Sequence, residues 1–219
     1  MSHSVLTSLE EAVAAFEAGR PILIHDGADR EHEVDLLYPA HAVDPLAVAR
    51  LRNDAGGLVF VALSAAVADT FDLPFLHEIL DHPTTVYDHV GYDDRPSFSL
   101  SVNHRETYTG VTDADRSMTI RELARAAADP DGVDFAATFR APGHVHLLRG
   151  ADGLLTERQG HTELGLALAD AADGVSAVAG AEMLDDTSGQ ALSPAAARSY
   201  AARHDLVYLN AEDVVDRFA

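Results

Sequence analysis

The 219-residue chain contains no cysteine and no lysine, and these two absences narrow its chemistry before any motif is considered. Without thiols there is no disulfide, no thiolate zinc site and no cysteine nucleophile, so a metal would be held by oxygen or imidazole ligands. That donor set suits a hard ion such as magnesium or manganese. Without lysine, the basic residues are 15 arginines set against 36 acids, a net charge of −21. Such a chain repels a phosphate backbone, so no nucleic-acid partner is expected. No apolar run approaches the ~20 residues that span a bilayer, and the start Met1-Ser-His-Ser-Val-Leu lacks a basic region followed by an apolar stretch. No membrane partner is expected, and the expected location is the cytoplasm. The acids are spread along the chain among many leucines, valines and alanines, which argues against disorder. This pattern reads as the surface of a halophilic protein, expected to work in salt at which charges are screened over ~3 Å.

Residues 139–164 hold the densest chemistry. Pro142-Gly143 predicts a turn, and the alternation around Val145 and Leu147 predicts a strand closed by Gly150 and Gly153. After Gly160, the largely apolar run from Leu164 to Ala172 predicts a helix that stops near Asp173-Gly174. His161 and Thr162 then lie at a helix N-terminus, where free N–H groups and the helix dipole favour an anion such as phosphate. Arg158, one short turn upstream, adds a guanidinium fork, and His161 can ligate a metal or move a proton. The same pattern also fits a plain helix cap with incidental histidines.

Elsewhere helices and strands interleave, which predicts one mixed α/β (α+β) domain over 1–219, a mixed sheet flanked by helices. Ser8-Leu9-Glu10-Glu11 reads as a capping box opening a helix that ends at Gly19, and Thr119-Ile120-Arg121-Glu122 as a second one. Strands are expected at 21–25, 58–63, 97–102, 175–184 and 206–209. Residues 26–37 read as a polar loop with acids at 29, 31, 33 and 35; if extended, Glu31, Glu33 and Asp35 share a face. Converging carboxylates either bind a cation or stay in water. Residues 81–95 read as an irregular loop, and the turn from Thr107 to Arg116 is rich in hydroxyls able to meet phosphate, Thr109 among them. Glu182 interrupts an apolar strand and needs a partner or a task. Ser193-Pro194 starts a helix through His204, and Asn210 caps a terminal one.

Taken in order, the acidic loop, the Thr-rich turn, Pro-Gly-His-Val, Arg-x-Gly-His-Thr-Glu and the late Glu182 make the chain resemble 3,4-dihydroxy-2-butanone 4-phosphate synthases of the single-function kind, from about Leu9 to Val214. The resemblance implies a lyase that uses Mg2+ (or Mn2+), one or two ions per site, to turn D-ribulose 5-phosphate into L-3,4-dihydroxybutan-2-one 4-phosphate and formate for riboflavin. It also implies a homodimer with sites near the subunit interface. By motif, Glu31 and His161 correspond to metal ligands. Arg30, Glu31, Asp35, Thr109, Arg158, Gln159, Gly160, His161, Thr162 and Glu182 correspond to substrate contacts. His144 and Glu182 correspond to the groups essential for the chemistry, with Asp35 as a third proton carrier. His32 and Val34 replace the Asn and Gly of the common bacterial loop, and Gln159 replaces a second Gly; valine tolerates positive φ poorly. Another metal-dependent sugar-phosphate lyase or isomerase, or a module that binds a phosphorylated ligand without turnover, fits the same residues.

Overall fold

The computed structural model describes residues 2–27, 30–85, 93, 95–172 and 177–219. Within them the chain forms β1 (Ile22–His25), β2 (Val34–Pro39), β3 (Phe60–Leu63), β4 (Phe98–His104), β5 (Phe139–Arg149), β6 (Ala177–Glu182) and β7 (Val207–Asn210). The helices are α1 (Ser2–Glu17), α2 (Pro45–Arg50), α3 (Ala65–Thr70), α4 (Leu76–Ile79), α5 (Asp113–Ala128), α6 (Phe135–Thr138), α7 (His161–Ala171), α8 (Pro194–His204) and α9 (Ala211–Phe218). All seven strands join one mixed sheet in the order β4-β5-β3-β6-β2-β1-β7, in which only β1 with β7 and β3 with β5 run parallel. The expected mixed α/β architecture is therefore present.

Alternation along the central strands divides the core into two layers. Val34 and Leu36 of β2, Val61 and Leu63 of β3, and Ala179 and Ala181 of β6 pack with Ile120 and Leu123 of α5 and with Ala197 of α8. Leu37, Phe60, Ala62 and Val178 point the other way, to Leu164 and Leu168 of α7, Phe16 of α1 and Val214 of α9. Local signals set several ends. Asp44 and Ser193 accept from N–H groups of α2 and α8, each with Pro in the first turn, and Gly56 takes a left-handed conformation after a π-helical turn, Leu51–Ala55.

The structure corrects several boundaries. α1 starts at Ser2, with no breaker before Gly19, so Ser8 lies inside it and is not its N-cap. α5 starts at Asp113, where Thr112 accepts from the Asp115 N–H, six residues before the expected box. Thr119 is buried instead, donating to the Asp115 carbonyl and accepting from the His104 N–H. The loop after β1 ends at Glu33, because Val34 to Pro39 are all buried and pair on both sides as β2. Pro142-Gly143 makes no turn before a strand: Val102 pairs with Val145 and Asn103 with Arg140, so the pair lies in a bulge within β5. α3 was not anticipated by the pattern, although Ser64 caps it. Asn210 stands at the start of α9, but its side chain meets Arg198 and Asp213 in place of the helix N–H groups. Of the expected loop at 81–95, residues 86–92 and 94 lie outside the described residues, as do Asp29 and the expected helix stop at 173–174.

Candidate functional site

The site begins with strand register. Asp35 of β2 lies directly opposite Glu182 of β6, and alternation turns both toward the layer that contains α7. Asp35 is fully buried, and neither carboxylate oxygen has a hydrogen-bond partner among the described residues. Burial pushes its carboxyl up to about 8; His161 pulls the other way, while Glu182, Asp26 and Glu33 add to the rise. Glu182 is better placed, since its Oε2 accepts from the Leu58 N–H at 2.6 Å just before β3.

His161, the first residue of α7, comes down onto this pair. Its Nδ1 is 3.4 Å from Glu31 Oε2 and 3.8 Å from Asp35 Oδ2, and its ring lies 5.1 Å from that of Phe60. Burial disfavours the imidazolium, but Asp35, Glu31 and Glu182 outweigh it and raise the ring to about 10. Contact with His161 draws Glu31 below its usual range. Burial, with Glu31 and Glu182, pushes Glu33 up to about 7.

Glu31 is presented by a loop tied to Asp26. The Asp26 carboxylate accepts from the Glu31 N–H at 3.1 Å and the Glu33 N–H at 2.9 Å, while its own N–H donates to the Glu33 carbonyl at 3.2 Å. His32, between them, has φ +58°, a conformation that suits the Asn of the bacterial pattern; Val34 starts β2 with no positive φ. The departure from the family loop is thus borne at His32.

The cationic side is built from Arg30, Arg158 and the start of α7. Arg158 donates from Nη1 to Glu163 Oε2 at 2.6 Å and from Nε to Asp93 Oδ2 at 2.8 Å, and Arg30 Nη2 reaches the same Asp93 oxygen at 3.3 Å. Burial works against the Arg158 charge, but Glu163 and Asp93 more than restore it. No side chain caps α7, whose N-cap is Gly160. A Cβ there would meet the Arg158 guanidinium and come within 3.0 Å of Arg30 Nη2, so glycine lets both cations lie against the helix start without shifting.

These groups surround a cavity of about 300 Å³ whose walls include Glu31, Glu33, Asp93, Arg158, His161 and Glu182, with Leu58, Phe60, Phe98 and Leu148 as its apolar side. Of the residues expected from sequence, Glu31, Arg158, His161 and Glu182 line the cavity, while Arg30, Asp35 and Gly160 lie behind them against Asp93, His161 and Arg158. Gln159 is exposed and turns back to the Leu155 carbonyl. Thr162 is buried, its hydroxyl without a hydrogen-bond partner. His144 and Thr109 are exposed and line no part of this cavity; buried Asn103 ties them to each other elsewhere. Sequence reasoning passed over Asp26, Asp93, Glu163 and Asn103. It also passed over His146, which alternation places on the α7 side, where burial lowers its imidazole against the pull of Glu182. That alternation was legible; nothing local marked Asp93 or Asn103.

A divalent cation fits this donor set. Glu31 Oε2, both oxygens of Asp35 and His161 Nδ1 are buried without hydrogen-bond partners, hard oxygen and imidazole donors facing one another. Among the described residues no three His, Asp or Glu side chains stand in ligating geometry. The chain would therefore supply few ligands and leave the rest to water and substrate, as magnesium commonly requires.

Comparison with known proteins agrees with this chemistry. Residues 10–217 match the sequence model of the 3,4-dihydroxy-2-butanone 4-phosphate synthase family. The 3,4-dihydroxy-2-butanone 4-phosphate synthase of Archaeoglobus fulgidus is 41% identical over 226 residues, covering 98% of this chain and 95% of that protein. The crystal structure of the Candida albicans synthase superposes with TM-score 0.78 at 27% identity over 96% of each chain. A synthase solved in complex with two magnesium ions superposes with TM-score 0.75 at 27% identity over 93% of each. With fold and sequence in agreement, the chain belongs to the 3,4-dihydroxy-2-butanone 4-phosphate synthase family.

Proposed function

We propose that this cavity converts D-ribulose 5-phosphate to L-3,4-dihydroxybutan-2-one 4-phosphate and formate, supplying the carbon skeleton of the riboflavin xylene ring. The observation that carries the reading is the set of unpartnered buried atoms on Glu31, Asp35 and His161 beside the anion-binding pair Arg30 and Arg158. The first set suits Mg2+, with Mn2+ as a substitute and one or two ions, and Glu31 and His161 would hold it. When bound, the ion supplies positive charge to the substrate oxygens on which negative charge develops.

The chain's own residues account for the rest. Arg30, Arg158 and the uncapped N–H groups of α7 take the phosphate; Asp93 already bridges both guanidinium groups with a carboxylate, which marks a seat for an anion. Asp35 and Glu182, opposed across β2 and β6, are proton carriers whose environments differ, one without a hydrogen-bond partner and one bonded to the Leu58 N–H. Phe60, Phe98 and Leu148 limit water on the other side.

The active form in this reading is a homodimer of single synthase domains spanning 1–219, with the cytoplasm as its location. His144 and Thr109 meet the cavity across the subunit boundary, which explains their exposure here. Tyr108 and Val111, 93% and 52% exposed, flank Thr109 and supply apolar surface for such a boundary. The test is product analysis after incubation with ribulose 5-phosphate, magnesium and molar salt. Formate with the four-carbon phosphate supports the reading; a different product makes the chain another sugar-phosphate enzyme, and binding without product makes it a ligand-binding module. Mixing inactive His144→Ala and Glu31→Gln chains should restore part of the activity if the site is shared, and restore none if it is not.

A further inference from the structure

We propose that Asn103 is a positioning residue: its amide holds the His144 backbone, the His144 ring and the Thr109 turn in one fixed relation. The proposal rests on the reading of His144 as a group that carries a proton in the reaction. Asn103 lies in β4 where pairing with β5 slips, and it is 3% exposed. Its Oδ1 accepts from the His144 N–H at 2.8 Å. Its Nδ2 lies 3.4 Å from the Thr109 carbonyl and 3.2 Å from His144 Nδ1. A 180° flip of the amide would set its NH2 against the His144 N–H and its oxygen against the Thr109 carbonyl, so the bonds fix its orientation.

The consequence is chemical as well as steric. The Asn103 amide meets Nδ1 with Nδ2 at 3.2 Å and Oδ1 at 3.3 Å; because Oδ1 is already engaged by the His144 N–H, Nδ1 pairs with the Nδ2 donor and is the acceptor. The neutral ring is then protonated at Nε2, and Nε2 is the atom left to exchange a proton with a ligand. The turn is fitted to the same amide. Gly110 has φ +86°, and a Cβ there would fall on the Asn103 amide. One buried side chain thereby couples two exposed segments that sequence separates by 35 residues and that the expected substrate contacts and catalytic groups include.

The effect should appear in turnover and spare magnesium binding, because Asn103 lines no part of the cavity that contains Glu31 and His161. In Asn103→Ala, kcat for formate release should fall about 10- to 100-fold, as for displaced catalytic groups, with magnesium affinity within about twofold of wild type. Asn103→Asp keeps an acceptor for the His144 N–H but removes the donor to Nδ1, so the bulge should persist while the ring loses its tautomer. Nitrogen NMR of the His144 ring reads this directly: Nδ1 should report as unprotonated in wild type and change in both variants. Melting curves identify any variant that has merely unfolded, and Asn103→Asp remains informative if Asn103→Ala does. If His144→Ala is inactive but both Asn103 variants keep wild-type turnover and ring signal, the proposal is overturned alone. If His144→Ala keeps wild-type turnover, the role of His144 falls and the proposal with it.

Discussion

Arg158 and Glu163, five residues apart across the start of α7, form an ion pair in which Nη1 lies 2.6 Å from Oε2 and the carboxylate side has no solvent exposure. Glu163 also accepts from the Ala151 N–H at 3.0 Å, so the pair links the turn after β5 to the helix that bears His161. Arg158 is therefore structural as well as a candidate phosphate ligand, a double role that sequence alone did not suggest.

Arg158→Ala should raise KM for the sugar phosphate and also destabilise the fold by about 3–5 kcal/mol, the cost of leaving a buried charge without its partner. Urea unfolding and inhibition by inorganic phosphate measure the two effects separately. An unchanged unfolding midpoint would show that Glu163 does not need the guanidinium, and unchanged phosphate inhibition would remove Arg158 from the anion seat.

Glu31→Gln and Glu182→Gln should fail differently. Loss of the Glu31 carboxylate should weaken magnesium binding by at least about tenfold and be partly rescued by excess metal, since even outer-shell changes cost that much. Glu182→Gln can still offer an oxygen to the Leu58 N–H, so magnesium and substrate binding should persist while turnover falls by at least about 100-fold. Calorimetric titrations beside a formate assay decide; Glu31→Gln with wild-type magnesium affinity, or Glu182→Gln with wild-type turnover, refutes that assignment.

Magnesium affinity should rise with pH. His161 is raised from 6.5 to about 10, so its imidazolium contributes stability that is fully present below pH 6.5 and is lost as pH rises through about 10. A metal needs the neutral ring, so between pH 7 and 9 each proton removed favours the ion. Calorimetry should show tighter binding at pH 9 than at pH 7, and more proton release per ion at pH 7 than at pH 9. In metal-free protein the melting temperature should decline over the same range. Affinity independent of pH would mean that His161 does not ligate.

Folding should depend on molar salt, because 36 acids against 15 arginines repel one another once screening is removed. Circular dichroism and mass measured before and after dilution test this; identical values at low salt would detach the acidity from any need for screening.

The fold was legible where local signals agreed. Leu58 to Leu63, Ser193-Pro194 and the switch to helix after Gly160 each combine periodicity with a cap or breaker, and each forms the expected element. The capping boxes at Ser8 and Thr119 failed because a box is a local pattern that a continuing helix can absorb: Thr112-x-x-Asp115 offered an earlier start. β2 was hidden because Glu33 and Asp35 make a buried strand look like a polar loop, and only pairing with β1 and β6 shows that Asp35 is internal. The His161 end of the site was readable from its helix start. Asp93 and Asn103 act over 65 and 41 residues of separation, and no local pattern carries that information.

The opposition of Asp35 and Glu182 in the middle of the sheet has a practical consequence for anyone improving the protein's robustness. A leucine at 35 would add apolar burial worth about 1.5–3 kcal/mol and remove a carboxylate with two unpartnered oxygens from the interior. Selection for heat resistance alone would favour that substitution and, with Asp35 as the proposed proton carrier, return an inert chain. Thermal tolerance and turnover thus pull on this position in opposite directions, and a useful engineering screen must score formate release alongside survival.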